Sequence, residues 1–251
     1  MGLWWFGQDD WKVRQNLTVS LGLRYENQGN IKSNLNFAPR VGFAWSPGGG
    51  ASPKTVIRGG YGVFYDRVSE NLTLQANRLN GTNQQQFTVL NPDFFPIIPS
   101  PSTLVSFSVP GTVYQLEPNV QAPYTLQSVI SVEHQLPHNT TVATSYINVR
   151  TLHTLRTRPL NAPLPGTFIP GVPGSGTRPL DCADFIPPSV NPSTTCNVFE
   201  YESSGHFSQN QFIVNFNSRL NLGLPSTPTM FLRRPTATRT EPAVFRQTHM
   251  T

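Results

Sequence analysis

The stretch Asn16-Leu17-Thr18-Val19-Ser20-Leu21-Gly22-Leu23-Arg24-Tyr25-Glu26 alternates without a slip. Leu17, Val19, Leu21, Leu23 and Tyr25 fall on one side of an extended chain, and Thr18, Ser20, Gly22, Arg24 and Glu26 on the other. A period of two over this length predicts a strand with one apolar and one polar face. Residues 4–13 read as its partner, joined through a short turn at Arg14 and Gln15. The two together predict a hairpin.

Further out, residues 38–46 place Val41, Phe43 and Trp45 opposite Arg40, Gly42 and Ala44, before a Pro- and Gly-rich turn at 47–53. Residues 55–65 return with Ile57, Gly59, Tyr61, Val63 and Tyr65 on one face and Arg58, Gly60 and Gly62 on the other. Glycines this dense weaken a sheet unless the strand bends or lies beneath a large neighbouring ring. Residues 124–136 and 140–150 predict a second hairpin, closed by Pro137, His138 and Asn139. Residues 207–220 alternate again, Phe212, Val214, Phe216 and Leu220 opposing Gln211, Ile213, Asn215, Asn217 and Arg219. Two long irregular stretches, 67–123 and 151–204, separate these strands.

Composition agrees with an all-β chain. Charged residues make up 12% of the 251, against about 25% in a typical globular protein, while there are 24 prolines and 19 glycines. No window of a dozen residues free of Pro and Gly carries apolar positions at helical spacing, so no helix is assigned. Mean hydropathy is −0.28, and no run approaches the ~18 apolar residues of a membrane helix. That excludes helical membrane spans but not a barrel, whose alternating strands hide their apolarity from averages. The charge of +5 is spread over 18 scattered Lys and Arg and forms no stripe, which argues against nucleic acid as a partner. Met1-Gly2-Leu3-Trp4-Trp5-Phe6 has no basic start, full apolar run or small-residue cleavage site, so no export signal is expected in these residues.

The connections decide between a barrel and a sandwich. Those after the first, third and fifth predicted strands read as short, and those after the second, fourth and sixth as long. Outer-membrane barrels sort their loops in this way, with tight turns at one rim and long extracellular loops at the other, whereas Greek-key sandwiches mix lengths at both ends. Trp4, Trp5, Trp11, Trp45, Tyr25, Tyr61 and Tyr65 cluster toward strand ends, where aromatic girdles sit. The fold expected is an all-β, antiparallel, up-and-down sheet: part of an outer-membrane β-barrel over residues 1–224, with long extracellular loops at about 67–123 and 151–204.

The motifs Gln8-Asp9-Asp10-Trp11-Lys12-Val13, Asn16-Leu17-Thr18 and Leu21-Gly22-Leu23-Arg24-Tyr25-Glu26 resemble the barrel signature of TonB-dependent receptors, in particular the Oar-like group. Asn36-Phe37-Ala38-Pro39-Arg40-Val41-Gly42-Phe43-Ala44-Trp45 and residues 55–66 continue it in order. The resemblance implies an outer-membrane location, outer-membrane lipid and the TonB energy-transducing complex as partners, and uptake of an extracellular ligand. It also implies a signal peptide, an N-terminal plug or carboxypeptidase-regulatory-like region, and about 22 strands. About seven strands are recognisable here, with no plug or TonB box, so this reading makes the chain a fragment that does not transport alone. The rival reading is a soluble secreted β-rich module that binds carbohydrate or another ligand and buries its apolar strand faces.

No enzyme, cofactor or metal site is expected. Asp9 and Asp10 are adjacent, so in a strand they face opposite sides and cannot work as an acid/base pair; they read as lumen or rim groups. His134, His138, His153, His206 and His249 lack ligand spacing. Gly48-Gly49-Gly50 ahead of Lys54-Thr55 is a turn, since Pro53 stands where a phosphate loop needs glycine. Cys182 and Cys196 share one long loop, which favours a local disulfide in an exported protein; two free thiols are the alternative. Ligand contacts are expected in the two long loops.

After Leu222 the alternation fails, and 225–251 reads as an irregular basic tail. A shifted reading frame is the second reading. Codons for 236–243 read one nucleotide earlier permit Asn-Ser-Asp-Lys-Asp-Gly-Ala-Gly, and those for 226–231 permit Phe-Tyr-Ala-Tyr-Tyr-Val, an aromatic membrane strand.

Overall fold

The computed structural model describes residues 3–48, 53–84, 86–107, 111–172, 175–186, 196–218 and 229–236. These residues form one nine-stranded sheet. The strands are β1 (Trp4–Arg14), β2 (Leu17–Glu26), β3 (Asn36–Trp45), β4 (Thr55–Tyr65), β5 (Thr112–Leu116), β6 (Tyr124–Leu136), β7 (Thr140–Pro159), β8 (Asn197–Ser218) and β9 (Thr229–Thr236). Two helices, α1 (Glu70–Arg78) and α2 (Pro101–Phe107), lie between β4 and β5. Spatial order is β1-β2-β3-β4-β6-β7-β8, an antiparallel meander. The far edge of β8 carries two strands: β5 runs parallel to residues 197–201, and β9 antiparallel to residues 208–215. The sheet does not close on itself, as expected of part of a barrel wall.

Register fixes which side chains share a face. Leu21 lies opposite Asp9 on β1 and Val41 on β3, and Val41 opposite Tyr61 on β4. Through β6, β7 and β8 this face continues with Ile130, Tyr146 and Phe212. The other face carries Ser20, Arg40, Gly42, Arg58, Gln127 and Ser145. Gly59 sits opposite Phe43 on the apolar face. A Cβ there would come within 2.3 Å of the Phe43 ring, so the glycine is what lets the ring lie over the strand. On the polar face the Arg40 guanidinium lies 4.5 Å from the centroid of the Phe64 ring, a cation–π contact.

The apolar face is uncovered. Leu21 is 52% exposed, Val41 45%, Trp45 42% and Ile130 49%. The buried apolar clusters lie elsewhere, among the loops: Val113, Cys182, Ile186, Cys196 and Val198 form one, and Ile31, Val68, Val120 and Ala122 the other. A water-soluble sheet buries its apolar face against a second layer, so this distribution is inverted.

Several expectations are corrected. Helices exist: α1 is nine residues long, shorter than the window searched, with Glu70 in its first turn and Arg78 in its last, and it buries Thr73 and Ala76. Pro101 opens α2, where its missing N–H is harmless. Connections 27–35 and 46–54 are equally long, so loop length does not alternate strictly. Strand β7 runs to Pro159, well past residue 150, and β8 begins at Asn197, so the expected loop 151–204 shrinks to 160–196. The alternation breaks there because irregularities between Thr151 and Arg156 shift the pairing, with His153 at φ 56°. Gly205 faces that bulge, and a Cβ on it would lie 2.7 Å from the Thr154 carbonyl oxygen. Residues 229–236, read as irregular tail, pair with β8 as β9; an open edge accepts a backbone whatever its side-chain pattern. Residues 49–52, 219–228 and 237–251, which include most of the Gly-rich turn and of the tail, lie outside the described residues.

Candidate functional site

The site is the rim where β2–β3, β4–β6 and β7–β8 are joined. On β2, β3 and β4 the apolar face runs the whole strand. On β7 it stops at Tyr146, below Asn148 and Arg150, and on β8 at Phe212, below Asn210 and Ser208. Strands of a barrel tilt by about 35–45°, so the apolar band crosses successive strands at shifting residues. At its upper border on β7 and β8, the Tyr146 hydroxyl and the Asn148 amide both donate to Asn210 Oδ1, at 2.9 and 2.7 Å. Beyond that border the two strands extend for about ten further residues each as a ribbon clear of the band.

The ribbon is held by charge. Arg156 faces Glu202 and Arg158 faces Glu200 across the strands. Arg156 Nε donates to Glu202, Arg158 Nε lies 2.9 Å from Glu202 Oε2, and Arg158 Nη2 donates to Glu200 Oε2 at 3.0 Å. Ser204 adds a hydrogen bond to Glu202 Oε1 at 2.6 Å. Burial alone pushes the Glu202 carboxyl upward, but the hydrogen bonds from Ser204 and Arg156 and the charges of both arginines outweigh it and hold the group below its ordinary value of 4.5. A depressed folded-state value means this stabilisation is fully present above about pH 4.5 and is lost as pH falls through the lower folded value. Acidification in that range is therefore expected to raise amide exchange at residues 200–204, while Glu202→Gln flattens the response; an unchanged pH profile in the variant would contradict this.

The other loops join the ribbon. Gln28, buried in connection 27–35, donates through Nε2 to the Asp66 carbonyl and accepts from the Val68 N–H. Asn30 donates to the Val68 carbonyl. Glu117 Oε2 accepts from the Ser203 N–H at 3.0 Å, and the Gln121 N–H donates to Ser203 Oγ. The Tyr201 hydroxyl donates to Gln75 on α1, and burial pushes its pKa above the ordinary tyrosine value. All three connections at this rim are thus built into one cap.

Cys182, in a single 3-10 turn, and Cys196 lie with their Cα atoms 5.6 Å apart and their sulfurs bonded, inside the first apolar cluster. Buried Asn161 ties the same place together, donating to the Cys196 carbonyl and accepting from the Leu180 N–H. The bonds from Gln75, Glu117 and Gln121 to Tyr201 and Ser203 were not legible in sequence, because those partners are separated by 82 to 126 residues.

The other singled-out residues are not brought together. Asp10 faces the polar side with Ser20, but Asp9 pairs with Leu21 and sits on the apolar face of β1, contrary to the reading of both as lumen or rim groups. The Trp11–Val19 pairing fixes that register. His134 is hydrogen-bonded to Thr55, and His153 packs edge-on against Tyr124. Among the described residues no group of three or more His, Cys, Asp or Glu could hold a metal ion.

Comparison with solved structures gives the same architecture. The siderophore receptor PirA of Pseudomonas aeruginosa is similar over 93% of this chain at 14% identity and a TM-score of 0.51. The outer membrane transporter YddB of Escherichia coli is similar over 86% at 14% identity and 0.52. The ferric enterobactin receptor PfeA of P. aeruginosa is similar over 93% at 11% identity and 0.50. This chain spans 34%, 21% and 26% of those proteins respectively, and identities this low speak for the fold alone. No curated protein matches the sequence. The family described as outer membrane beta barrel domain matches residues 27–227. With its apolar sheet face uncovered and its loops gathered into a cap, this chain belongs to the outer membrane β-barrel domain family and is located in the outer membrane.

Proposed function

We propose that the chain is part of the wall and extracellular cap of a TonB-dependent receptor of the Oar-like group, which takes up a ligand from outside the cell. One observation carries the reading: the apolar face of the sheet is exposed, while the buried apolar clusters lie in the loops at one rim. A lipid-facing wall topped by a folded loop layer needs that arrangement. The solved neighbours, two receptors and a transporter, support uptake over enzymatic chemistry. In this reading the chain works only with further strands, since the edges of β1 and β9, unpaired among the described residues, are not tolerated in lipid, and with a plug moved by the TonB complex. Residues 182 and 196 carry an oxidised pair in the exported protein. For the tail, we retain the shifted frame beyond residue 225 as the reading that DNA sequencing of the locus tests.

Lipid contact is the direct test. In dodecyl maltoside micelles, tryptophan fluorescence is expected to fall when the detergent is replaced by its dibrominated form, because Trp5, Trp11 and Trp45 share the apolar face. Unchanged fluorescence, together with a monodisperse chain in detergent-free buffer, would establish the soluble module instead.

A further inference from the structure

Within the cap, a cavity of about 290 Å³ opens between the turn after β7 and the start of β8. Pro159, Pro163, Leu164, Phe168 and Phe199 give it apolar walls, and Arg178 is its cation. Phe168 is 45% exposed and Leu164 44%, so these apolar side chains line an accessible opening and are not part of a sealed core. The Phe199 ring is backed by Tyr114 of β5, with centroids 5.7 Å apart and planes at 24°.

Arg178 is held in place by oxygens that carry no formal charge. Its Nη1 donates to the Asn161 carbonyl at 2.5 Å and lies 3.3 Å from the Cys196 carbonyl and 3.5 Å from Asn197 Oδ1. Its Nε is shielded from solvent and has no hydrogen-bond partner among the described residues. Among the described residues no carboxylate pairs with it, whereas Arg156 and Arg158 of the same cap are both paired. Asn161 and the cysteine pair fix the backbone that positions it. A half-buried guanidinium without a counter-charge among the described residues, set beside aromatic walls, matches a planar anion on a ring: its positive charge and the N–H groups not already engaged attract a carboxylate, and the ring packs on Phe199 and Phe168. The volume lies at the small end for ligand pockets, which limits the occupant to about one ring and its acid group.

We propose that this cavity binds a small ring carboxylate, or the ring-carboxylate portion of a larger ligand. This names the ligand class for the receptor reading above and rests on it. The test is calorimetric titration of the full chain in dodecyl maltoside with benzoate and with its neutral isostere benzamide. Benzoate is expected to bind at least tenfold more tightly. Arg178→Gln is expected to abolish that preference and Arg178→Lys to keep part of it. Phe168→Ala, which leaves the guanidinium contacts in place, is expected to weaken both compounds alike. Equal affinity for the two compounds, or no binding of either while the Leu180 amide stays protected from exchange, would overturn the proposal. If benzoate fails to bind in a chain whose tryptophans are quenched by brominated detergent, the cavity assignment falls and the receptor reading stands. If quenching is absent, the receptor reading falls first.

Discussion

Val41→Arg is expected to lower the stability of the micelle-embedded chain by about 2–4 kcal/mol, the scale of a cation on the lipid face near the middle of a barrel wall. Val41 lies near the middle of β3, between Leu21 and Tyr61 on the apolar face. Its immediate cross-strand neighbours Leu21 and Tyr61 offer no carboxylate; Asp9 lies one strand further off, across Leu21, so the Asp9→Asn background is the one in which the full cost is read. Ser20→Arg provides the control: Ser20 pairs with Gly42 and Asp10 on the opposite face, so the same cation there is expected to change stability by under ~0.5 kcal/mol. Urea unfolding in dodecyl maltoside measures both. In a soluble protein Val41, at 45% exposure, would accept arginine nearly as well as Ser20 does. Equal effects at the two positions would therefore argue against a lipid-facing wall.

Reduction of the Cys182–Cys196 bond is expected to cost about 3 kcal/mol, the loop-closure scale for a separation of 14 residues. The loss should be local. The pair lies in the loop cluster with Val113, Ile186 and Val198, while the wall strands pair independently of it. Hydrogen exchange is the readout: the Leu160 N–H, bonded to the Val198 carbonyl, and the Asn197 N–H, bonded to the Gly111 carbonyl, should lose protection. Amides between β6 and β7 should not change. If Cys182→Ser with Cys196→Ser leaves the cap amides as protected as before, its stability comes from Asn161 and the apolar cluster alone.

The wall was legible in the sequence and the cap was not, for a physical reason. Strands β2, β3, β4 and β6 meet solvent or lipid on one face along their whole length, so each residue repeats one of two environments and the period shows. Beyond residue 151 the environments become local: His153 turns into the left-handed region, pairing shifts, and Arg156, Arg158 and Glu202 take roles set by distant partners. Strand β5 was missed because five residues between Gly- and Pro-containing stretches carry too little pattern, and its partner lies far along the chain. The cysteines alone drew attention to the right loop. Arg178 left no sequence signal, since its distinction is a missing counter-charge.

The parallel pairing of β5 with β8 also dictates an order of assembly. Residues 112–116 meet residues 197–201 only after two intervening strands, β6 and β7, have been laid down. Adjacent hairpins close short loops and form early, whereas a contact spanning about 85 residues bears a larger entropic penalty until its neighbours are in place. The wall therefore acts as the template on which the cap is clamped shut. During that interval the connection between β4 and β6 hangs free of its partner, and it is then that a protease would find it.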